Sequence, residues 1–213
     1  MEIHHWPLYR LRVTTPRLEL SLPDLELLDR LASVAAGPVH DPARMPFSIP
    51  WTDTPPAERA RSTFQHVLRG IAEWTPHDWS LALVVRRDGE VVGRQDISAT
   101  DFAVTREAGT GSWLAMAHQG RGLGTEMRAA VAHLAFAGLG ARALTSAAAI
   151  DNAPSLAVSR RLGYRPDGLS VTAVRGRPRT FQRFRLDRAA WEEHRTVPVE
   201  IAGLEECLPL FGI

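Results

Sequence analysis

The stretch WLAMAHQGRGLGTEMR, residues 113–128, places glycine at every second position: Gly120, Gly122 and Gly124. A short apolar run precedes the glycines, and apolar residues at helical spacing follow them. The start of a helix presents unpaired backbone N–H groups and the positive end of the helix dipole. Because glycine has no Cβ, an anion can approach this backbone closely. The pattern predicts a loop that binds phosphate or pyrophosphate; a tight strand-to-helix turn that binds nothing is the alternative.

Two well-known phosphate loops do not match this stretch. The P-loop needs a lysine and then serine or threonine after its last glycine, whereas Thr125 and Glu126 follow Gly124. The dinucleotide-binding fingerprint needs its third glycine three places after the second, and Thr125 holds that place. The loop therefore belongs to neither class.

A third pattern does match. The segment QGRGLG, Gln119–Gly124, has the form Gln-x-x-Gly-x-Gly and resembles the acyl-CoA pyrophosphate loop of the GNAT superfamily of N-acetyltransferases. The second signature of that superfamily follows at the expected distance, as NAPS at 152–155 and LGY at 162–164. The segments TPRLEL at 15–20 and GSWL at 111–114 look like its ribosomal-protein-alanine acetyltransferase branch.

The resemblance covers roughly residues 14–188 and implies a mixed α/β fold. Its central sheet would be mostly antiparallel, with a splayed parallel strand pair, and flanked by helices. It implies acetyl-CoA or succinyl-CoA as the acyl donor, an amine as the acceptor, no metal and a homodimer. Pantetheine would lie against the strand before the glycine loop, and pyrophosphate against the loop. The implied cofactor-binding residues are Leu114, Ala115, Met116, Gln119, Gly120, Arg121, Gly122, Leu123, Gly124, Thr125, Asn152 and Arg161.

The catalytic residues implied are fewer. Ser155 matches the position that carries the general acid for the leaving thiolate, although a serine in a first helical turn is often only polar surface. Asn152 is equally suited to cap that helix. The branch takes its general base, a glutamate, from the strand after Leu-Gly-Tyr. In this chain that strand, Ser170–Val174, reads SVTAV and has no carboxylate. This departure from the branch puts its peptide-amine substrate in doubt. We expect Asp96 to take the proton or hold the ammonium; the alternative is a strand-end residue facing water. Weaker candidates are His40, Asp41 and Glu107, and water could relay the proton.

The identity of the substrate stays open at this stage. Residues 40–53, together with TGSWL at 110–114, resemble a subset of the branch that uses succinyl-CoA. The carboxylate of a succinyl group would need a basic or polar partner, and Arg94 or Arg44 could offer one. A CoA-binding protein without turnover is the alternative from another functional class, against which the intact Ser155 and glycine loop argue. An aminoglycoside-modifying enzyme would call for a strongly acidic pocket, and the balanced charge of 25 basic and 24 acidic residues gives that reading little support. The acceptor pocket is expected to have aromatic walls from Phe47, Trp51 and Trp113.

Periodicity and turn residues predict seven strands and four main helices. The Asp88-Gly89 pair predicts a two-residue hairpin, and Gly93 a bulge in the strand that follows. Asp24 is expected to begin the first helix with Leu25, Leu28, Leu31 and Ala32 inward, and Thr54 to cap the second. The strands are expected at residues 17–22, 80–87, 90–98, 111–116, 142–150, 164–174 and 181–186.

The composition is that of an ordinary globular chain. The 213 residues carry a net charge of +1, which suggests neither a nucleic-acid nor a membrane partner. Cys207 is the only cysteine, so an internal disulfide or cysteine-based zinc cluster is excluded, and a buried apolar role is expected for it. We expect a cytoplasmic protein with one domain over residues 1–190 and a C-terminal tail over 191–213.

Overall fold

The computed structural model describes residues 3–213, and these contain nine strands and six α-helices. The strands are β1 (Arg12–Thr14), β2 (Glu19–Ser21), β3 (Asp78–Arg87), β4 (Glu90–Thr100), β5 (Glu107–Leu114), β6 (Ala143–Ala149), β7 (Arg165–Val174), β8 (Arg177–Asp187) and β9 (Glu200–Ala202). The helices are α1 (Leu25–Ala36), α2 (Pro56–Ala72), α3 (Phe102–Thr105), α4 (Leu123–His133), α5 (Ala153–Arg161) and α6 (Arg188–His194).

All nine strands form one sheet in the order β7-β8-β6-β5-β4-β3-β2-β1-β9. Neighbouring strands are antiparallel except β5 and β6, which are parallel. This confirms the predicted mixed α/β fold. Only Glu107–Gly109 of β5 pairs with Ala143–Thr145 of β6. Beyond that point β5 runs on to Leu114 and β6 to Ala149 without a ladder pair among the described residues, so a gap opens between them.

The hairpin between β3 and β4 shapes the wide end of this gap. Asp88 and Gly89 both have positive φ, 50° and 78°, as a type I′ turn requires. The register jumps where Val85 faces Gly93 and the next residue of β3 faces Val91, so Val92 is an extra residue and the predicted bulge is confirmed. A Cβ at Gly93 would lie 2.2 Å from the Trp113 carbonyl oxygen. Only glycine lets β5 come this close to the bulge.

Helices cover both faces of the sheet. Helices α1 and α2 pack on one face through Leu28, Leu31 and Val67, while α4 belongs to the larger core on the other face. Asp24 caps α1 by accepting from the Leu27 N–H at 2.8 Å. The inward assignment of Leu25 was wrong: it is 65% exposed, because no element covers the first residue of α1.

The predicted cap of α2 was also wrong. Pro55, not Thr54, is the N-cap residue, and it makes no side-chain cap bond. The Thr54 hydroxyl instead donates to the Trp51 carbonyl at 3.1 Å. It is therefore used by the short 3₁₀ turn that precedes the helix.

The segment expected as a tail, residues 191–213, folds onto its own domain. Strand β9 pairs with β1, and Phe211 is fully buried, 4.9 Å from Trp79 between ring centroids. Cys207 is also fully buried, as expected, and burial raises the pKa of its thiol. No helix in residues 3–213 is long and apolar enough to cross a membrane.

Candidate active site

The glycine loop presents a row of unpaired backbone donors. The N–H groups of Gly120, Arg121, Gly122, Leu123 and Gly124 have no acceptor within residues 3–213. Gly122 is the N-cap residue of α4 and offers no side chain to satisfy the helix start. A helix start left this way needs a ligand or water to complete its hydrogen bonds, and its dipole favours an anion.

The three glycines have different reasons. Gly120 and Gly122 have φ of 72° and 79°, a left-handed conformation that L residues rarely adopt. Gly124 has no positive φ and lies inside the first turn of α4. A Cβ there would lie 3.7 Å from Leu114 Cδ1, an ordinary contact. The fold therefore requires two of the three glycines and tolerates a side chain at the third.

An ion pair that the sequence did not reveal anchors this loop. Glu126, which is 5% exposed, accepts from Arg17 Nε at 2.6 Å and from the Thr15 hydroxyl at 2.6 Å. Arg17 Nη1 also donates to the Arg121 carbonyl at 3.1 Å. The turn between β1 and β2 therefore holds α4 in place and adds a cation beside the loop. No sequence periodicity links residues 109 positions apart, so only the fold shows this pair.

The backbone at the wide end of the gap is partly engaged. The N–H of Ala115 donates to Val92 and that of Met116 to Pro38, both at 2.9 Å. Because successive N–H groups of a strand point to opposite sides, those of Leu114 and Ser112 face the gap. Of the three residues predicted to pair with pantetheine, Leu114 is thus the one whose N–H is available.

Gln119 fixes the entrance of the gap. Its Nε2 donates to the Val39 carbonyl at 2.7 Å and to the Leu114 carbonyl at 2.8 Å. The side chain of this predicted cofactor residue therefore joins the end of β5 to the segment after α1. Its backbone N–H donates to the Met116 carbonyl at 3.2 Å. Because its side-chain amide and its backbone N–H are both used within the protein, Gln119 contributes by fixing the geometry of the entrance.

Helix α5 begins beside β6 with the second predicted pair. Asn152 caps it by accepting from the Ser155 N–H at 3.3 Å, so the cap interpretation is confirmed. The Asn152 amide nitrogen and the Ser155 hydroxyl have no hydrogen-bond partner within residues 3–213 and are available to a ligand. Arg160 and Arg161 lie exposed in the last turn of α5.

Asp96 lies on β4, one strand away from the gap, on the face that α1 and α2 cover. It pairs with Ala82 of β3 and Gly111 of β5. Its Oδ2 accepts from Arg94 Nε at 3.1 Å and Nη2 at 2.9 Å, while Oδ1 is buried without a donor. The charges of Arg94 and Asp96 both act on the pKa of His66 on α2, in opposite directions. Partial burial, and then the positive charge of Arg94, lower the pKa of His66 and so favour its neutral form.

The weaker candidates for the base are engaged elsewhere. His40 bonds through Nε2 to the Thr52 hydroxyl at 2.6 Å and through Nδ1 to the Asp41 carbonyl at 2.8 Å. Glu107 is bound by Arg185, whose hydrogen bonds lower the pKa of that carboxyl. Asp41 is exposed and accepts from the N–H two residues on.

A loop over residues 37–55 packs on the face of the sheet that α1 and α2 cover. Its rings of Phe47 and Trp51 lie 5.3 Å apart, and Trp51 lies 5.5 Å from Trp113 of β5, so the predicted aromatic walls do meet. Arg175, at the tip of the β7–β8 hairpin, donates to both oxygens of Asp53 at 2.7 and 2.5 Å. This pair joins the loop to the hairpin, and we name it the Arg175–Asp53 latch.

A comparison with protein families decides the assignment. The family described as an acetyltransferase (GNAT) domain matches residues 17–165, which include the glycine loop, the gap, Asn152 and Ser155. The chain belongs to the GNAT acetyltransferase family. The GNAT resemblance in the sequence is confirmed, and the parallel β5–β6 pair is the splayed pair that it implied.

Solved GNAT structures share this fold. RimJ from Mycobacterium smegmatis, in complex with CoA-disulfide, is 19% identical over 97% of both chains, with a TM-score of 0.69. RimL, a ribosomal L7/L12 alpha-N-protein acetyltransferase in complex with coenzyme A, is 20% identical over 83% of this chain and 97% of its own, with a TM-score of 0.62. MccE, a microcin C7 self immunity acetyltransferase in complex with acetyl-CoA and AMP, is 17% identical over 81% of this chain and 93% of its own, with a TM-score of 0.62. At such identities the likeness establishes the fold and leaves the substrate to the site itself.

Proposed function

We propose that this GNAT protein transfers acetyl from acetyl-CoA to a primary amine, on a small molecule or a protein N-terminus, by direct attack in a ternary complex. One observation carries the proposal. Five successive unpaired N–H groups, in the glycine loop and the first turn of α4, lie beside a gap in the sheet. The row of N–H donors suits a pyrophosphate, and the gap suits an extended arm that contains amides. RimL and MccE bind coenzyme A and acetyl-CoA on the same fold.

The donor would lie across both features. Its pyrophosphate accepts from the loop N–H groups between Gly120 and Gly124, with Arg17 nearby. Its pantetheine amides pair with Leu114 and with the Asn152 amide, filling the place of a missing strand between β5 and β6. The N–H of Ser112 or Leu114 then donates to the thioester oxygen and stabilises the negative charge that develops there.

The acetyl transfer requires one nucleophilic attack and two proton transfers. The amine nitrogen attacks the thioester carbon, the C–S bond breaks, and its electron pair leaves on sulfur. The amine proton passes to Asp96 or to water, and the Ser155 hydroxyl donates a proton to the thiolate and is reprotonated by solvent. Asp96 Oδ1 is closed to solvent, so a neighbouring side chain has to rotate before an ammonium reaches it.

Acetyl is favoured over succinyl by the arginines. A succinyl carboxylate needs a cation with unused donors. Arg94 is mostly buried and already donates to Asp96 through two nitrogens. Arg44 lies exposed in the covering loop. Neither is a built carboxylate site.

A thiol-release assay tests this function. The protein is mixed with acetyl-CoA and a panel of small primary amines and N-terminal peptides, and released CoA is measured, with mass spectrometry of the product. We expect amine-dependent release with an acetyl amide as product. Faster release from succinyl-CoA would contradict the acetyl assignment. Tight CoA binding without release for any amine would establish a CoA-binding protein without turnover.

The homodimer implied by the GNAT resemblance stays a proposal. Strand β7 is at the sheet edge and exposes Leu169 and Val171, at 60% and 67%, an apolar pair that a second copy would cover. Sedimentation analysis of the wild type against Val171→Lys checks this. We expect a dimer that the substitution weakens, and a wild-type monomer would contradict it.

A further inference from the structure

Helix α4 carries a buried arginine that the chemistry described so far does not use. Arg128 is 7% exposed. Its Nη1 donates to the Ser159 hydroxyl and its Nη2 to the Ser146 hydroxyl, both at 3.2 Å. The guanidinium carbon lies 5.1 Å from the ring centroid of Tyr164.

This guanidinium has no counterion. Within residues 3–213, no carboxylate lies within 4.0 Å of Arg128. Glu126, on the same helix, faces Arg17 and Thr15 instead. A buried cation is costly unless it is paired, and two neutral hydroxyls and one ring only partly offset that cost. The position therefore suits a negative charge that is absent from the protein itself.

The location of Arg128 indicates which negative charge that is. Ser146 is the first residue of β6 beyond the last ladder pair, Gly109 with Thr145, so Arg128 lies where the gap opens. Ser159 is four residues after Ser155, which puts both on one face of α5, one turn apart. Arg128 is likewise one turn after Gly124 on α4. The guanidinium thus lies between α4, one turn past the glycine loop, and the helix that carries Ser155.

We propose that Arg128 stabilises the thiolate of coenzyme A as it leaves, acting through its positive charge and through Ser159 rather than by direct contact. The inference rests on the proposed function, because the thiolate exists only if acyl-CoA is the donor. When the C–S bond breaks, the electron pair stays on sulfur, and the fixed cation lowers the energy of that anion before a proton arrives. Arg128 is a positioning residue in this scheme, and Ser155 remains the proton donor.

The test measures the acidity of the bound thiol. The ultraviolet absorbance of the thiolate is followed against pH for the protein with CoA, and the same protein with desulfo-CoA is subtracted, which cancels the signal of Cys207. In the wild type we expect the bound thiol to be about tenfold more acidic than that of CoA in the same buffer, a shift of about one pKa unit. Besides this thiol, Tyr164 is a titratable side chain in contact with Arg128.

Two variants separate charge from packing. Arg128→Met keeps the apolar stem and removes the charge, and should return the bound thiol to within about twofold of the acidity of free CoA. Arg128→Lys keeps the charge and should retain most of the effect.

A wild-type thiol no more acidic than that of free CoA would overturn the inference while leaving turnover intact. An Arg128→Met variant that is less stable but has unchanged thiol acidity would show a purely structural arginine. The wild-type titration decides the first point even if a variant fails to fold. CoA that does not bind at all would reject the donor site of the proposed function, and this inference with it.

Discussion

Replacing Gly122 with valine should damage the donor site through the backbone of the glycine loop. Gly122 has φ of 79°, a conformation in which a β-branched residue is an outlier. A valine Cβ would also lie 3.4 Å from Arg17 Nη2. The loop therefore has to change its backbone angles, which turns the N–H groups of Gly122 and Leu123 away from their common direction.

The magnitude follows from that conformation. A left-handed L residue costs about 1–2 kcal/mol, so the free energy of unfolding should fall by at least this amount. Each misdirected N–H donor to a charged group is worth about 1.5–3 kcal/mol. Since a tenfold change in affinity corresponds to about 1.4 kcal/mol, the loss of two such donors should weaken CoA binding by well over tenfold. Gly124→Ala is the matched control. Its Cβ finds an ordinary contact, and alanine in a helix is favoured over glycine by about 0.5–1 kcal/mol.

Calorimetric titration with two ligands makes the assay specific. CoA carries the pyrophosphate and pantetheine does not, so Gly122→Val should weaken CoA binding and leave pantetheine binding nearly unchanged. Gly124→Ala should bind both like the wild type and unfold at a slightly higher temperature. If Gly122→Val binds CoA within about threefold of the wild-type affinity, the loop does not hold the pyrophosphate and the reasoning fails.

Four further outcomes are expected. Ser155→Ala should lower turnover at least tenfold with CoA affinity nearly unchanged, and unaltered turnover would remove the hydroxyl from the mechanism. Asp96→Asn should lower kcat/KM for the amine by about tenfold or more, as expected for loss of one charged hydrogen bond, and an equal loss of CoA affinity would argue against an acceptor role. Hydrogen bonds from Arg175 lower the pKa of Asp53, so the latch is complete above about pH 3.9, the ordinary value, and is lost as pH falls through the lower folded value. The protection of amides in residues 37–55 against hydrogen exchange should fall there, and Arg175→Gln should show low protection at every pH. Gly93→Ala should destabilise the protein by about 1–3 kcal/mol through overpacking against the neighbouring strand, and a calorimetric unfolding temperature equal to that of the wild type would show that β5 can move away.

Much of the fold was predictable because the local signals agree with the tertiary structure. Asp88-Gly89 marks a hairpin by turn chemistry alone, and the apolar run of β3 predicts a strand buried on both faces. Strands β1 and β9, of three residues each, were not predicted; β2 is as short but lies in the longer alternating run of residues 17–22. Leu25 and Thr54 were assigned from helix spacing and cap preference, but the covering of Leu25 and the use of the Thr54 hydroxyl depend on tertiary neighbours.

The site was predictable to a smaller extent. Gln119, Asn152 and Ser155 were predicted through a motif and stay predictions. The structure shows that the side chain of Gln119 binds carbonyl groups of the protein, and that the N–H groups of Ala115 and Met116 are already engaged. Arg128 was invisible in the sequence, because an arginine on a helix usually faces water. Only the packing of α5 on α4 shows that it is buried.

Hydrogen exchange on the protein with and without acetyl-CoA tests the central claim most directly, since that claim is that the unpaired loop amides and the gap hold the donor. Without ligand, the amides of Gly120–Gly124 have no acceptor and should exchange fast. With acetyl-CoA, we expect strong protection there and at the Leu114 end of β5, and with acetyl-pantetheine protection at β5 alone. Stoichiometric acetyl-CoA binding that leaves the loop amides in fast exchange would contradict the account.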